Sequence, residues 1–129
     1  MELHALATSF VELSMDGELH ALARTFVKLS NQSQSLGTRA EAEAALLSFR
    51  SHPSAVPTCR LVLDGDAPMV VHFQAVNCVR DVALTQWARM CSATRAELTE
   101  YLMRHVFHRA PARAVRAQML QTVVLLQKR

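Results

Sequence analysis

The sequence has few of the residues that mark sheet proteins, disulfide-linked proteins and metal sites. It contains 3 glycines in 129 residues, aromatic side chains make up 5%, and apolar residues make up 50%. Ala, Leu and Val are prominent in the apolar set, which suits packed helices better than a sheet. The 3 cysteines are odd in number and form no Cys-x-x-Cys pair, so neither a disulfide framework nor a zinc knuckle is indicated. We expect helices in a reducing compartment.

Targeting and anchoring segments are also missing from the sequence. Met1 is followed by Glu2 rather than by a basic segment, and Glu12 interrupts the only apolar stretch that could act as a signal peptide. The longest late apolar run, residues 123–126, is far too short to cross a bilayer. These absences predict a soluble, intracellular protein.

The charge pattern does not favour a nucleic-acid partner. The formal net charge is +3 and the isoelectric point is near 9.1. The arginines of the second half are dispersed among acids instead of forming one stripe with aromatic residues. Neither G-x-G-x-x-G nor G-x-x-x-x-G-K occurs, so no phosphate-binding loop is predicted.

No group of residues indicates catalysis or metal binding. His105 and His108 are three positions apart on one predicted helix, but no carboxylate or third histidine has a spacing that would complete a zinc site. Cys78 and Cys91 lie in no glycine-rich elbow and beside no motif that would lower their pKa. His72 follows apolar residues and is predicted to be a packed histidine. We expect no catalytic residue, no metal and no cofactor.

A short duplication opens the chain. Residues 2–7 (ELHALA) recur as residues 18–23, and Phe10-Val11 recurs as Phe26-Val27. The offset is too short for a helix-pair repeat of roughly 34 to 47 residues, so we interpret it as the local duplication of one amphipathic helix. The two copies place apolar residues at helical spacing: Leu3, Leu6, Phe10 and Leu13, then Leu19, Leu22, Phe26 and Leu29. Residues 1–37 are predicted to be these helices and a polar linker.

Helical periodicity continues after the linker. Helices are predicted from Thr38 to about Arg50, from Pro68 to Trp87, after Ser92 or Thr94, and after Pro111, with a short apolar stretch at 56–63. The pairs Thr38 with Glu41 and Thr94 with Glu97 fit the capping box, in which a hydroxyl and a carboxylate bond free backbone N–H groups.

These elements predict an all-α chain of antiparallel helix pairs with an unpaired helix at the end. This is the pattern of a HEAT-type α-solenoid, and residues 38–129 would be the start of such an array, about two and a half repeats long. An unpaired last helix would leave apolar surface open unless another unit stacks on it, and repeats that end an array normally have a polar outer face. The pattern therefore predicts a fragment of a longer array.

A polar stripe on the helix after Thr94 is the predicted partner-binding site. Its members are Glu97, Glu100 and Arg104, on the side opposite Leu98, Leu102 and Val106. A solenoid uses such stripes to face a partner, although a solvated helix face has the same pattern. Arginines also gather near the turn at Pro111, where they could bind an acidic protein surface or keep the turn soluble: Arg104, Arg109, Arg113 and Arg116.

Several motifs from residue 42 onward resemble one protein family. They are Ala42-Glu43, the run from Leu47 to Arg50, Phe73-Gln74-Ala75, Trp87, and then Val115-Arg116, Gln118 and Lys128-Arg129. In order and spacing they resemble the N-terminal region of the exportin-4 family, which are karyopherin-beta (importin-beta superfamily) nuclear export receptors. The resemblance covers roughly the last seventy per cent of the chain, and the duplicated segment departs from the family pattern.

The resemblance implies a superhelix of HEAT repeats whose N-terminal repeats bind Ran in its GTP form. It further implies export cargo, nucleoporin contacts and shuttling between nucleus and cytoplasm for a full-length receptor, with a hypusine-containing translation factor among the cargoes. Two alternatives stay open from the residues themselves: a generic helical scaffold or adaptor for another protein, and a basic helical nucleic-acid binder.

Overall fold

The computed structural model describes residues 19–34, 37–109 and 111–127. Within those ranges the chain forms six α-helices and one 3-10 helix (Trp87–Arg89), and it contains no β-strand. The α-helices are α1 (Leu19–Gln32), α2 (Arg39–Phe49), α3 (Ala55–Asp64), α4 (Met69–Gln86), α5 (Ser92–His108) and α6 (Arg113–Gln127). The all-α expectation is confirmed. The first copy of the duplicated helix lies outside the described residues.

Proline and glycine set the breaks between the helices. After α2 the backbone N–H of Ser54 donates to His52 Nδ1 at 2.9 Å, which fixes the turn around Pro53. Gly65 ends α3, with its N–H shared between the carbonyl oxygens of Leu61 and Val62. Pro68 directly precedes α4, where its missing N–H is no loss. The apolar stretch at 56–63 is thus a helix, α3.

Both predicted capping boxes are wrong. Thr38 does precede α2, but its hydroxyl donates to the Gln32 carbonyl oxygen at 2.9 Å and makes no cap bond. At α5 the N-cap residue is Cys91, and the Thr94 hydroxyl lies 3.2 Å from Cys91 Sγ. Glu97 bonds a side chain of α3 instead of the backbone at the start of its own helix. In each case a tertiary neighbour or an adjacent side chain has replaced the local partner.

The six helices form three hairpins in two layers. Within each hairpin the helices pack on each other: α1 with α2, α3 with α4, and α5 with α6. The first helices are neighbours, since α1 contacts α3 and α3 bonds α5 through Arg60 and Glu97. The second helices are neighbours as well, through an Arg50–Asp81 ion pair from α2 to α4 and through direct packing of α4 on α6. The prediction that the last helix is unpaired is wrong, because α6 pairs with α5.

Helix α4 is at the centre of the core. It contacts α1, α3 and α6 and has seven buried residues, more than any other described helix. On α1, Phe26 is 1% exposed and its ring centroid lies 6.4 Å from that of Phe49 on α2. Burying side chains of this size contributes about 1.5–3 kcal/mol each. The core therefore connects all three hairpins.

Apolar side chains remain open on the outer face of α6. Val115, Met119 and Leu126 are buried, whereas Leu120 is 39% and Val124 is 53% exposed. This agrees with the expectation of an apolar outer face on the last helix. Of the helices in the described part of the chain, none combines the length and hydropathy that a bilayer span requires.

Candidate partner-binding surfaces

Glu97, the first residue of the predicted stripe, is held by the neighbouring hairpin. Both terminal nitrogens of the Arg60 guanidinium donate to its carboxylate, Nη1 to Oε1 at 2.7 Å and Nη2 to Oε2 at 2.8 Å. The guanidinium carbon also lies 4.0 Å from the centroid of the Tyr101 ring, a cation–π contact. These hydrogen bonds from Arg60 lower the pKa of the Glu97 carboxyl. The Glu97 carboxylate is therefore used to join α3 and α5.

Tyr101 and His105 extend this polar seam along α5. The Tyr101 hydroxyl lies 2.8 Å from Asp64 Oδ1 and donates to it, and burial of the phenol raises its pKa. The ring of His105 is 5% exposed, and its Nε2–H donates to the Leu63 carbonyl oxygen at 2.9 Å. Burial lowers the pKa of His105, because its charged form would lose hydration. These hydrogen bonds fix the position of α5 along α3, and with it the register of the two hairpins.

The outer face of α5 carries the other two predicted residues. The side chains of Glu100 and Arg104 are 72% and 58% exposed, and Arg104 Nε lies 3.8 Å from Glu100 Oε1. An exposed pair at this i,i+4 spacing contributes only about 0.3–0.5 kcal/mol to stability, so a partner could separate it at little cost. Phe107, one turn further on, is 72% exposed. The structure thus brings Glu100 and Arg104 together and turns Glu97 towards α3.

An open cleft lies beside Glu100, between the start of α5 and the end of α6. It has a volume of about 500 Å³ and is lined by Trp87, Arg95, Glu100 and Leu126 among others. Arg95 Nη2 donates to the Trp87 carbonyl oxygen at 2.6 Å, and its guanidinium carbon lies 5.0 Å from the indole centroid. The cleft wall is consequently ordered by contacts within the chain.

A second groove, between α2 and α4, was not predicted from the sequence. It has a volume of about 630 Å³, and its lining includes Leu47, Arg50, Asp81, Leu84 and Arg89. Leu47 is 61% exposed, out of phase with the buried positions of α2, and an ion pair joins Arg50 and Asp81 in the wall. An exposed apolar centre with a charged rim is typical of protein interfaces. The out-of-phase Leu47 is the sequence signal that could have identified it.

The remaining candidates from the sequence are scattered. His105 faces α3 while His108 is exposed, so the two rings do not converge on one site. Cys78 is buried and Cys91 is exposed, and the Thr94 hydroxyl lowers the pKa of the Cys91 thiol. Arg109 Nη2 donates to the Asp64 carbonyl oxygen at 2.7 Å. Across residues 19–34, 37–109 and 111–127 no three His, Cys, Asp or Glu side chains are grouped to hold a metal ion.

Comparison with known proteins adds no family assignment. No family model matches the chain, and neither does any curated protein or solved structure. Functional inference for this chain consequently depends on its own residues and on their geometry.

Proposed function

We propose that this chain is the opening part of a HEAT-type nuclear export receptor of the exportin-4 kind, and that it binds Ran in its GTP form. The observation that carries the proposal is the recurrence of bonds between side chains and groups of neighbouring hairpins at sequence separations of 31 to 45 positions. The proposal includes no catalytic role, so the nucleotide would arrive on Ran.

These separations are measured between helices of the same layer. In the first layer Arg60 bonds Glu97 and Tyr101 bonds Asp64, both across 37 positions, and His105 bonds the Leu63 carbonyl across 42. Because the first two pairs have the same separation, α3 and α5 run in the same direction. In the second layer Arg50 pairs with Asp81 across 31 positions and Gln118 bonds Asn77 across 41. Separations in this range fit a stack of helix-pair repeats of roughly 34 to 47 residues.

The residues that resemble the exportin-4 family support the same interpretation. Phe49 is 5% exposed and packs on Phe26, with its ring also stacked on His52 at 5.7 Å. Ala75 is fully buried in α4. Trp87 follows that helix and is covered by Arg95. Part of the matched set thus packs within the hairpin stack, whereas other members, such as Glu43 and Arg116, are exposed.

Two surfaces are candidates for the Ran contact. The exposed pair of Glu100 and Arg104 is the one predicted from the sequence. The groove between α2 and α4 is the stronger candidate, because Leu47 offers apolar area that can be buried while Arg89 and the Arg50–Asp81 pair supply charge. We therefore place the principal contact in the groove and an accessory contact at the pair.

Transport would proceed by linkage and not by chemistry in this chain. Ran-GTP and cargo bound to one curved stack each raise the affinity of the other, and GTP hydrolysis on Ran then releases both. Each hairpin contacts mainly its neighbours, so small rotations at seams such as Arg60–Glu97 add up along the array. Shuttling of the full-length receptor between nucleus and cytoplasm follows from this cycle.

The test is capture of Ran by the full chain. Ran loaded with a GTP analogue and Ran loaded with GDP are passed over immobilised chain, and the GTP form is expected to be retained selectively. Leu47→Asp combined with Arg89→Glu should abolish retention, since it places acids in the groove at two exposed positions. Glu100→Arg combined with Arg104→Glu should weaken it only in part.

The matched control reverses two charges elsewhere. Arg24→Glu with Lys28→Glu alters the exposed face of α1 and is expected to leave retention unchanged. Equal retention of both nucleotide forms, or retention of neither, would count against a Ran site and in favour of a scaffold for another protein. Equal loss in all three variants would indicate non-specific charge attraction.

A further inference from the structure

The duplicated segment has no role in the proposed function, yet its two copies are alike to an unusual degree. Residues 2–14 and 18–30 differ at three positions: Thr8 against Arg24, Ser9 against Thr25, and Glu12 against Lys28. The second copy is most of α1, so the structure shows which positions of the duplicated sequence pack against the core. The differences can therefore be compared with burial.

Five of the six buried positions of α1 carry the same residue in the first copy. Leu22, Phe26 and Leu29 are at most 1% exposed, and their counterparts Leu6, Phe10 and Leu13 are identical. Other buried positions are conserved in the same way, Ala21 as Ala5 and Ser30 as Ser14.

Two of the three differences fall at exposed positions of α1, and the third exchanges one hydroxyl residue for another at a buried position. Arg24 and Lys28 are exposed on α1. Thr25 is buried, and its hydroxyl donates to the Ala21 carbonyl oxygen at 3.0 Å. Ser9 keeps a hydroxyl at that position. If the first copy took the place of α1, it would therefore offer nearly the same buried side chains.

That groove is formed by α2, α3 and α4, all of which contact α1. One of its contacts is between Phe26 and Phe49, whose ring centroids are 6.4 Å apart. Phe10 is the residue of the first copy that would fill this position. A jigsaw-like core discriminates by side-chain volume and shape, and here both are unchanged.

The length of the connecting chain also allows the first copy to take the place of α1. With α1 seated, residues 33–38 join it to α2, a loop of six residues. With the first copy seated 16 positions earlier, the loop would be residues 17–38, which is 22 residues. Loop closure becomes less probable as the 3/2 power of length, so the longer loop disfavours the first copy by only about sevenfold.

We propose that residues 2–14 are an alternative occupant of the α1 groove, so that the chain can seat either copy of the duplicated helix. The two arrangements differ in the charged side chains that they expose to solvent. Arg24 and Lys28 make the outer face basic when α1 is seated, whereas Thr8 and Glu12 would make it acidic. The exchange therefore changes the charge of one surface without changing the core.

The experiment follows amide hydrogen exchange by mass spectrometry in the full chain, because peptides from the two copies differ in mass. The wild type is expected to protect residues 18–30. Leu22→Asp with Phe26→Asp removes α1 from the groove, and protection should then move to residues 2–14, whose exchange slows by at least about tenfold, while a cooperative melt persists at a lower Tm.

The matched control is Leu6→Asp with Phe10→Asp, which should leave both the Tm and the protection of residues 18–30 unchanged. The fourfold variant should not fold. If the Leu22/Phe26 variant melts like the fourfold variant, or folds with residues 2–14 unprotected, the proposal is wrong. Protection of residues 2–14 in a dimer alone, measured by light scattering, would also overturn it by showing exchange between two chains.

A milder pair of variants avoids charge in the core. Phe10→Ala is expected to shift the Tm little in the wild type and clearly more in a Phe26→Ala background, where the first copy is the better occupant. Equal shifts in both backgrounds would show that the two copies do not compete.

Discussion

The two seams that α3 makes with its neighbours differ in chemistry. Towards α4 the seam is mainly apolar, with Leu63 and Cys59 from α3 and Val76 and Val79 from α4 all fully buried. A polar contact lies at its end, where His72 Nε2 is 3.1 Å from the Val62 carbonyl oxygen. Towards α5 it is polar, with Arg60 bonded to Glu97, Tyr101 to Asp64 and His105 to a carbonyl oxygen. One seam holds a hairpin together, and the other joins two hairpins.

The difference assigns different tasks to the two seams. Apolar burial is strong but non-directional, so it stabilises the hairpin without fixing how the next hairpin sits on it. Hydrogen bonds have narrow angular and distance limits, so the α3–α5 seam fixes direction and register. We expect mutations in the apolar seam to cost most of the stability and mutations in the polar seam to loosen the joint between hairpins.

The largest expected effect is in the apolar seam. Leu63→Ala should lower the free energy of unfolding by about 2–5 kcal/mol, since it leaves a cavity at a fully buried position. Urea unfolding of the full chain measures this, and Leu47→Ala at an exposed position is the control, with a change within about 0.5 kcal/mol. A loss below about 1 kcal/mol at Leu63 would contradict the role given to this seam.

A smaller loss is expected in the polar seam. Tyr101→Phe removes the hydrogen bond to Asp64 but keeps the ring beneath Arg60, so stability should fall by about 1 kcal/mol. The same urea titration measures it. An unchanged urea midpoint would mean that water replaces the hydrogen bond between Tyr101 and Asp64 without loss of stability.

The pH dependence of the polar seam follows from His105. Its pKa in the folded chain lies below the ordinary 6.5, so below about that pH the unfolded chain binds a proton that the folded chain does not. Stability should therefore fall as the pH drops from 6.5, opposed by the hydrogen bond to the Leu63 carbonyl oxygen and by the Asp64 carboxylate, which lies 3.8 Å from the ring. Arg109 and His72 act in the same direction as burial.

His105→Gln should flatten this part of the stability profile, measured as Tm between pH 7 and pH 5 by circular dichroism. His20→Gln, on the exposed face of α1, is the control for histidine content. A profile with the same slope after His105→Gln would assign the pH response to another group.

The smallest effect is expected for the ion pair. The Glu97 side chain is 52% exposed, so solvent and salt screen its attraction to Arg60, and Glu97→Gln should cost only about 0.2–1 kcal/mol. Because Arg60 lowers the pKa of Glu97, this contribution is present near neutrality and disappears as the pH falls through the lowered pKa. A double-mutant cycle with Arg60→Gln measures the coupling, and a coupling unchanged at high salt would contradict this estimate.

The apolar half of the architecture could be predicted from the sequence because helical periodicity is local. The three residues predicted to lie on the apolar side of α5, Leu98, Leu102 and Val106, are all buried. The polar half could not be predicted, because the partner of a polar side chain depends on which distant helix is adjacent. Glu97 was interpreted as part of a capping box and of an exposed stripe; its side chain is exposed, but its carboxylate bonds Arg60 and not the backbone of α5.

The groove between α2 and α4 illustrates the same limit. Leu47 is apolar but out of phase with the inward positions of α2, so the sequence could indicate an exposed apolar residue there. That Leu47 lines a groove with Asp81 and Arg89 depends on the position of α4 and could not be predicted. The pair of Glu100 and Arg104 was predictable as exposed, since it lies opposite the apolar face.

The most direct test of the central claim is a calorimetric titration of the full chain with Ran. Binding of Ran loaded with a GTP analogue should be at least about tenfold tighter than binding of Ran-GDP, and the Leu47→Asp, Arg89→Glu variant should abolish the difference. Equal affinity for the two nucleotide forms, or no measurable heat with either, would contradict the account.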